Sequence, residues 1–95
     1  MDKKQIEEIL KNQKQYLEEH FYVGKIGLFG SFVRSEQRED SDIDLLVEFN
    51  RPVGFEFIRL KFYLESILGR EVDLVTEDAL KPLIKDHILN EVQFQ

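Results

Sequence analysis

Apolar residues recur at helical spacing in three segments of the chain. The first runs from Asp2, which can cap a helix, to about His20. The second runs from Phe55 to about Leu68 and is followed by Gly69, a residue typical of a helix C-cap. The third begins at Pro82, which suits the first turn of a helix. The first two carry their apolar face on Ile6, Ile9, Leu10 and Leu17, and on Phe57, Leu60, Leu64, Ile67 and Leu68; the third carries Leu83, Ile84, His87, Ile88 and Val92.

Three short apolar runs between these helices predict strands, at Lys25–Gly30, Asp42–Phe49 and Glu71–Val75. The last two flank a helix and form a β-α-β crossover, so we expect them to be parallel. The short connection between the first two favours an antiparallel pair. The expected fold class is therefore α+β with an α/β-like crossover, a small mixed β-sheet with helices packed on it.

Acidic side chains open two of these strands. Asp42 and Asp44 are two residues apart, so they share a face at a spacing of about 6.6 Å along the strand. With the expected strand directions, Asp73 and the Gly30-Ser31 turn lie at the same end of the sheet. Three carboxylates and a Gly-Ser turn are therefore predicted to meet at one edge.

This combination favours chemistry on a phosphate. Oxygen-only ligands favour Mg²⁺, and a glycine turn followed by free backbone N–H groups can hold phosphate oxygens. Two Mg²⁺ ions beside such a turn would equip the edge for attack on a nucleotide phosphate. Taken singly, each feature has a structural explanation, because Ser41-Asp42 suits a turn and Asp73 could be a protective charge on an edge strand.

Length, composition and charge limit the number of domains and the classes of function that the chain can have. The 95 residues suit one domain, 1–95, and contain no cysteine, which excludes disulfides and thiolate chemistry. The net charge of −6 disfavours direct nucleic-acid binding. No apolar run reaches the roughly 20 residues of a membrane span, so we expect no membrane association and a cytoplasmic protein. The turn sequence does not match a P-loop, and neither His20 nor His87 has metal-ligand spacing.

At these residues the sequence resembles the minimal nucleotidyltransferase (MNT) family of the DNA polymerase beta-like superfamily. The family motif is Gly-Ser, ten residues, then Asp-x-Asp, and here it reads Gly30-Ser31, the ten residues 32–41, and Asp42-Ile43-Asp44. The segments "GLFGSFVR", "SDIDLLVEF", "LGREVDLV" and "LKPLIKDHILNEV" are similar to the family's flanks, third-carboxylate strand and ending. One departure is Arg34-Ser35, where the family often has Arg-Gly.

The resemblance implies a role for each of these positions. Gly30 and Ser31 would hold the triphosphate of ATP. The catalytic carboxylates Asp42 and Asp44 would bind both Mg²⁺ ions, and Asp73 would complete one ion's shell and help deprotonate the acceptor hydroxyl. Arg34 either steadies the phosphates, as a nucleotide-binding residue, or pairs with a nearby acid.

The resemblance also implies a partner, a HEPN-domain ribonuclease toxin that receives AMP from ATP on a tyrosine hydroxyl. The chain would then be the antitoxin and form a hetero-oligomer with the toxin. Two alternatives stay open. It could be a binding module that neutralises its partner by occlusion, or a transferase for a small molecule such as an aminoglycoside, with the acceptor site supplied by another chain. The apolar residues of the C-terminal segment could form part of a partner surface or pack in the core.

Overall fold

The computed structural model describes residues 1–95 and contains four α-helices and a four-stranded mixed sheet. The elements in chain order are α1 (Lys3–Phe21), β1 (Val23–Phe29), α2 (Ser31–Arg34), β2 (Ile43–Phe49), α3 (Glu56–Leu68), β3 (Val72–Thr76), a 3₁₀ turn (Glu77–Ala79), α4 (Pro82–Glu91) and β4 (Gln93–Phe94). None of the helices has the length and apolar composition that crossing a lipid bilayer requires.

The strands lie in the order β3-β2-β1-β4. The pair β1–β2 is antiparallel and the pair β2–β3 is parallel, which confirms both expected directions and the mixed sheet. The fourth strand was not predicted. It pairs antiparallel with β1, where Phe94 lies opposite Gly27, and a Cβ at Gly27 would come within 3.0 Å of the Phe94 ring. The assignment of Val92 to the last helix was wrong, because α4 ends at Glu91 and Val92 is extended.

Alternation along β2 divides the core between the two faces of the sheet. Ile43, Leu45 and Val47 point into the larger cluster, which α1 and α3 cover. Leu46 points to the opposite face, where it meets Phe29 and the Ile88 side chain of α4. One face of the sheet is therefore covered by two long helices and the other by the single helix α4.

The ends of the two long helices follow the local sequence signals. The Asp2 carboxylate accepts the Gln5 backbone N–H, and the Gln5 side chain accepts the Asp2 N–H, which completes a capping box at the start of α1. Gly69 ends α3 in the left-handed conformation with φ 67°. Both predicted caps are confirmed.

The apolar residues of the C-terminal segment are only partly buried in the core. Ile88 is buried, and Leu89 and Val92 pack against its cluster. Ile84 and Phe94 stay about half exposed, at 47% and 46%. Core packing therefore accounts for three of these five apolar residues.

Candidate active site

Strand register brings the predicted acids to one end of the sheet. Asp44 on β2 lies opposite Phe29 on β1 and opposite Asp73 on β3. Register partners on neighbouring strands lie about 4.8 Å apart and point to the same face. Asp42 directly precedes β2 and shares that face by alternation. The three acids and the turn after Phe29 are therefore neighbours, as the sequence predicts.

These charges lie on the face of the sheet that α4 leaves partly open. Along β2 the residues on this face are Asp42, Asp44 and Leu46, and only Leu46 is buried beneath α4. The intervening Ile43 and Leu45 are fully buried on the opposite face. A carboxylate can thus stand at the start of a core strand, because its own face is uncovered there.

The Gly30 backbone fits closely against Asp44. Gly30 has φ 81° and ψ −151°, a conformation that side-chain-bearing residues rarely adopt. A Cβ at this position would overlap the Asp44 carboxylate and come within 2.9 Å of its Cγ. The turn therefore needs glycine both for its conformation and for the space that Asp44 occupies. Ser31 follows as the first residue of α2.

The charge state of Asp44 reflects this crowding. Burial, followed by the negative charges of Asp73 and Asp42, raises its pKa to about 6, while Arg34 acts in the opposite direction. An acid whose ionised form is disfavoured by burial and by like charges gains from a nearby cation. The electrostatics of this edge therefore suit a bound cation.

The donor set suits Mg²⁺ in particular, although the acids do not form a complete cage. No three acidic or histidine side chains converge on one point in a metal-ligating arrangement. Mg²⁺ is usually bound by one or two protein carboxylates together with water and substrate phosphate oxygens. Asp42 and Asp44 next to the Gly-Ser turn fit that pattern. The ligand role of Asp42, Asp44 and Asp73 stays a prediction.

Arg34 forms ion pairs with two acids, which is one of the two roles expected for it. Its Nε donates to Glu36 Oε1 and its Nη1 to Glu91 Oε1, each at 2.6 Å. Hydrogen bonds to Glu36 and then Glu91 raise the pKa of Arg34. The structure thus confirms pairing with nearby acids, and a contact of Arg34 with nucleotide stays a prediction.

Glu91 is a site neighbour that the sequence reasoning missed. Its second oxygen, Oε2, accepts the backbone N–H of Gly30 at 3.1 Å. One carboxylate at the end of α4 therefore contacts both the Gly-Ser turn and Arg34, from 61 and 57 residues away in the chain. The only sequence signal for Glu91 is its position. It is an acid at the C-terminal end of the last predicted helix, where nearby residues do not explain a negative charge.

The backbone conformation of Ser35 explains why the family often has glycine at this position. This residue ends α2 in the left-handed region, with φ 59° and ψ 35°. That conformation costs a residue with a side chain about 1–2 kcal/mol, which the greater flexibility of unfolded glycine partly offsets.

We expect Ser35→Gly to raise the free energy of unfolding by about 0.5–1 kcal/mol, measured by urea denaturation. Ser66→Gly is the control of opposite sign, because Ser66 lies inside α3, where glycine is about 1 kcal/mol less favourable than alanine and also less favourable than serine. A lower stability in Ser35→Gly would contradict the strain assigned to this turn.

The largest concavity of the molecule, about 600 Å³, lies away from the acids. It is lined by residues 47–53 and 76–78, at the carboxyl ends of β2 and β3. The acids lie at the opposite ends of the same strands. The acids therefore lie on an open edge of the sheet and not in an enclosed pocket.

Comparison with known proteins identifies the family. The family model for the nucleotidyltransferase domain matches residues 10–94. Protein adenylyltransferase MntA of Thermococcus cleftensis is 48% identical over 91 residues, covering 95% of this chain and 92% of that protein. A solved structure named as a minimal nucleotidyltransferase has a TM-score of 0.77 and 35% identity, covering 98% of this chain and 95% of its own.

The same fold occurs in a solved toxin–antitoxin complex. The complex joins a tri-AMPylated HEPN toxin from Shewanella oneidensis to an MNT antitoxin. Its matching chain has a TM-score of 0.66 and 20% identity, covering 94% of this chain and 70% of its own. Together with the family model and the close relatives, the fold and the Gly-Ser and carboxylate geometry lead to one conclusion: the chain belongs to the minimal nucleotidyltransferase family of nucleotidyltransferase-domain proteins.

Proposed function

We propose that this protein transfers AMP from ATP to a hydroxyl group, a tyrosine, of a HEPN ribonuclease toxin and thereby acts as its antitoxin. The observation that carries the proposal is the register of Asp44 with Asp73, beside a turn in which Gly30 fits against the Asp44 carboxylate. The T. cleftensis relative, named as a protein adenylyltransferase, supports the reaction class. The S. oneidensis complex supports the kind of partner.

The reaction joins the acceptor oxygen to the α-phosphorus of ATP and breaks the bond from that phosphorus to the bridging oxygen, so that pyrophosphate leaves. In the proposal the Gly30-Ser31 turn holds the triphosphate, beside Glu91, which accepts the Gly30 N–H in the structure. Asp42 and Asp44 would hold Mg²⁺, two ions in the proposed state, which supplies positive charge for the phosphate oxygens in the transition state. Asp73 is exposed on the edge strand β3. In the proposal it takes the proton of the attacking hydroxyl.

The acceptor belongs to a partner in this proposal, because the described sheet edge is open and offers no enclosed acceptor site. An AMP group on a tyrosine near a ribonuclease active site adds bulk and negative charge, both of which oppose RNA phosphate. The proposed working form is a hetero-oligomer with the toxin, without direct nucleic-acid binding by this chain. Because ATP is the donor, the proposal places the protein in the cytoplasm.

A labelling experiment tests the reaction class. Purified protein and toxin are incubated with Mg²⁺ and ATP that carries the label on either the α- or the γ-phosphorus. We expect label on the toxin from the α position only, and none when EDTA is present. Label from the γ position would show phosphoryl transfer and overturn the proposal. A tight, inactive complex with no label would favour occlusion of the toxin instead.

A further inference from the structure

Arg70 binds the loop that leads into the first catalytic carboxylate. Its Nη1 donates to the backbone carbonyls of Glu39 at 2.7 Å, Ser41 at 3.1 Å and Arg38 at 3.3 Å. Three carbonyl oxygens thus converge on one guanidinium nitrogen. Hydrogen bonds from a charged donor are roughly twice as strong as neutral ones, so this group is the main long-range attachment of the loop.

Two hydrogen bonds between Arg38 and Ser41 also form a turn just before Asp42. The Ser41 hydroxyl accepts the Arg38 N–H at 2.8 Å, and the Ser41 N–H donates to the Arg38 carbonyl at 3.1 Å. At the next step of the chain, the Ile43 N–H donates to the Glu71 carbonyl at 2.9 Å. Asp42 therefore lies between two fixed points. The Arg38–Ser41 turn, which Arg70 binds, precedes it, and the backbone hydrogen bond from Ile43 to Glu71 follows it.

The same guanidinium contacts the nucleotide-binding side of the site. Its Cζ lies 5.5 Å from the centroid of the Phe32 ring, and Phe32 is a buried residue of α2, next to Ser31. Arg70 itself lies three residues before Asp73 in the chain. One side chain thus links the three segments that carry the Gly-Ser turn, the acidic pair and the third carboxylate.

We propose that Arg70 is a positioning residue that fixes Asp42 relative to Asp44, Asp73 and the Gly-Ser turn, and so sets the cation affinity of the site. The inference rests on the proposed function for its catalytic consequence. Groups that orient metal ligands typically change metal affinity or activity by 10–100-fold when they are removed. Asp42 is exposed, and it precedes β2, so the sheet ladder alone does not fix it.

Three variants test the role of Arg70. Arg70→Met keeps an unbranched apolar stem and removes the donor. Arg70→Lys keeps a charged donor whose three protons can serve the same carbonyls. Arg51→Met is the matched control, because the Arg51 guanidinium lies 4.1 Å from the Tyr22 ring centroid, at the far end of β2, and makes no side-chain hydrogen bond.

Two measurements need no catalysis. The first is amide hydrogen exchange of residues 36–43 in the metal-free protein, and the second is Mn²⁺ affinity by electron paramagnetic resonance. For Arg70→Met we expect exchange about tenfold faster in this segment and Mn²⁺ binding about 10-fold weaker. Arg70→Lys, which keeps a charged donor, should lose clearly less than Arg70→Met, and Arg51→Met should match the wild type. If Arg70→Met does not fold, Arg70→Gln, whose shorter amide cannot reach all three carbonyls, takes its place with the same expected losses.

A folded Arg70→Met protein with unchanged exchange and Mn²⁺ affinity would overturn the inference. The same holds if faster exchange spreads evenly over the whole chain, because Arg70 would then serve general stability. In the proposed reaction, kcat should fall with Mn²⁺ affinity across the three Arg70 forms. If the wild type transfers no AMP at all, the proposed function fails, while the exchange and binding data still decide the role of Arg70.

Discussion

Replacing Asp44 by Asn should reduce AMP transfer to the toxin by about 1,000-fold or more. The carboxylate lies opposite Asp73 and against Gly30, so its loss removes a central ligand of the proposed cation site. Metal ions contribute several kcal/mol to the stabilisation of such transition states, and each 1.36 kcal/mol corresponds to a factor of ten in rate. Transfer is measured from initial rates with α-labelled ATP at saturating Mg²⁺.

The same substitution should stabilise the metal-free protein at neutral pH. The folded pKa of Asp44, about 6, lies above its ordinary value of 3.8, mainly because the group is buried and also because Asp73 and Asp42 are negative. The folded state therefore binds the proton more tightly than the unfolded state, and the free energy of unfolding falls as the pH rises from about 4 to 6. Asn avoids this loss, and we expect a gain of about 1 kcal/mol at pH 7, since solvent screens a half-exposed group.

Urea denaturation in EDTA at pH 7 and pH 4 measures this effect. The difference between Asp44→Asn and wild type should be present at pH 7 and become much smaller at pH 4, where Asp44 is protonated in the folded state and partly protonated in the unfolded state. Asp78→Asn is the control, because Asp78 is an exposed acid at the far end of β3 and should change neither stability nor transfer. An Asp44→Asn protein that loses transfer and is also less stable at pH 7 would contradict the electrostatic explanation.

Replacing Gly30 by Ala should have the second large effect. The new Cβ overlaps the Asp44 carboxylate, and the backbone would hold alanine at φ 81°. Overpacking costs about 1–3 kcal/mol and a positive φ costs about 1–2 kcal/mol, so we expect a loss of about 3 kcal/mol of stability. Transfer should fall to background, because both the triphosphate turn and Asp44 must move.

A double-mutant cycle separates the steric overlap with Asp44 from the cost of the positive φ. In an Asp44→Ala background the overlap is largely relieved, and the cost of Gly30→Ala should fall to the conformational part, about 1–2 kcal/mol. Gly54→Ala is the matched control, since a Cβ there meets nothing within 4 Å and should change stability by less than about 0.5 kcal/mol. If Gly30→Ala lowered the free energy of unfolding equally in both backgrounds, the overlap with the Asp44 carboxylate would not contribute to its cost.

Much of the site geometry could be predicted from local sequence because it depends on strand direction. The crossover through α3 makes β2 and β3 parallel, and this alone brings the start of one strand beside the start of the other. Two-residue alternation then places Asp42 and Asp44 on one face. The capping signals at Asp2 and Gly69 are likewise local, and the structure has both.

The contacts that the sequence did not reveal join residues far apart in the chain. Glu91 reaches Gly30 across 61 positions, and Arg70 reaches the loop before Asp42 across about 30. The strand β4 is two residues long and pairs where Gly27 leaves room for Phe94, so it has neither the length nor the alternation that signals a strand. Such contacts follow from how the elements pack, which residue periodicity does not record.

Intact-mass spectrometry of the toxin, after co-expression with the wild-type protein or with Asp44→Asn, tests the central claim most directly. We expect the toxin to gain the mass of one or more AMP groups beside the wild type and none beside the variant, with the variant folded and still able to bind it. A toxin of unchanged mass that the wild type nevertheless neutralises would contradict adenylylation and make occlusion the mechanism.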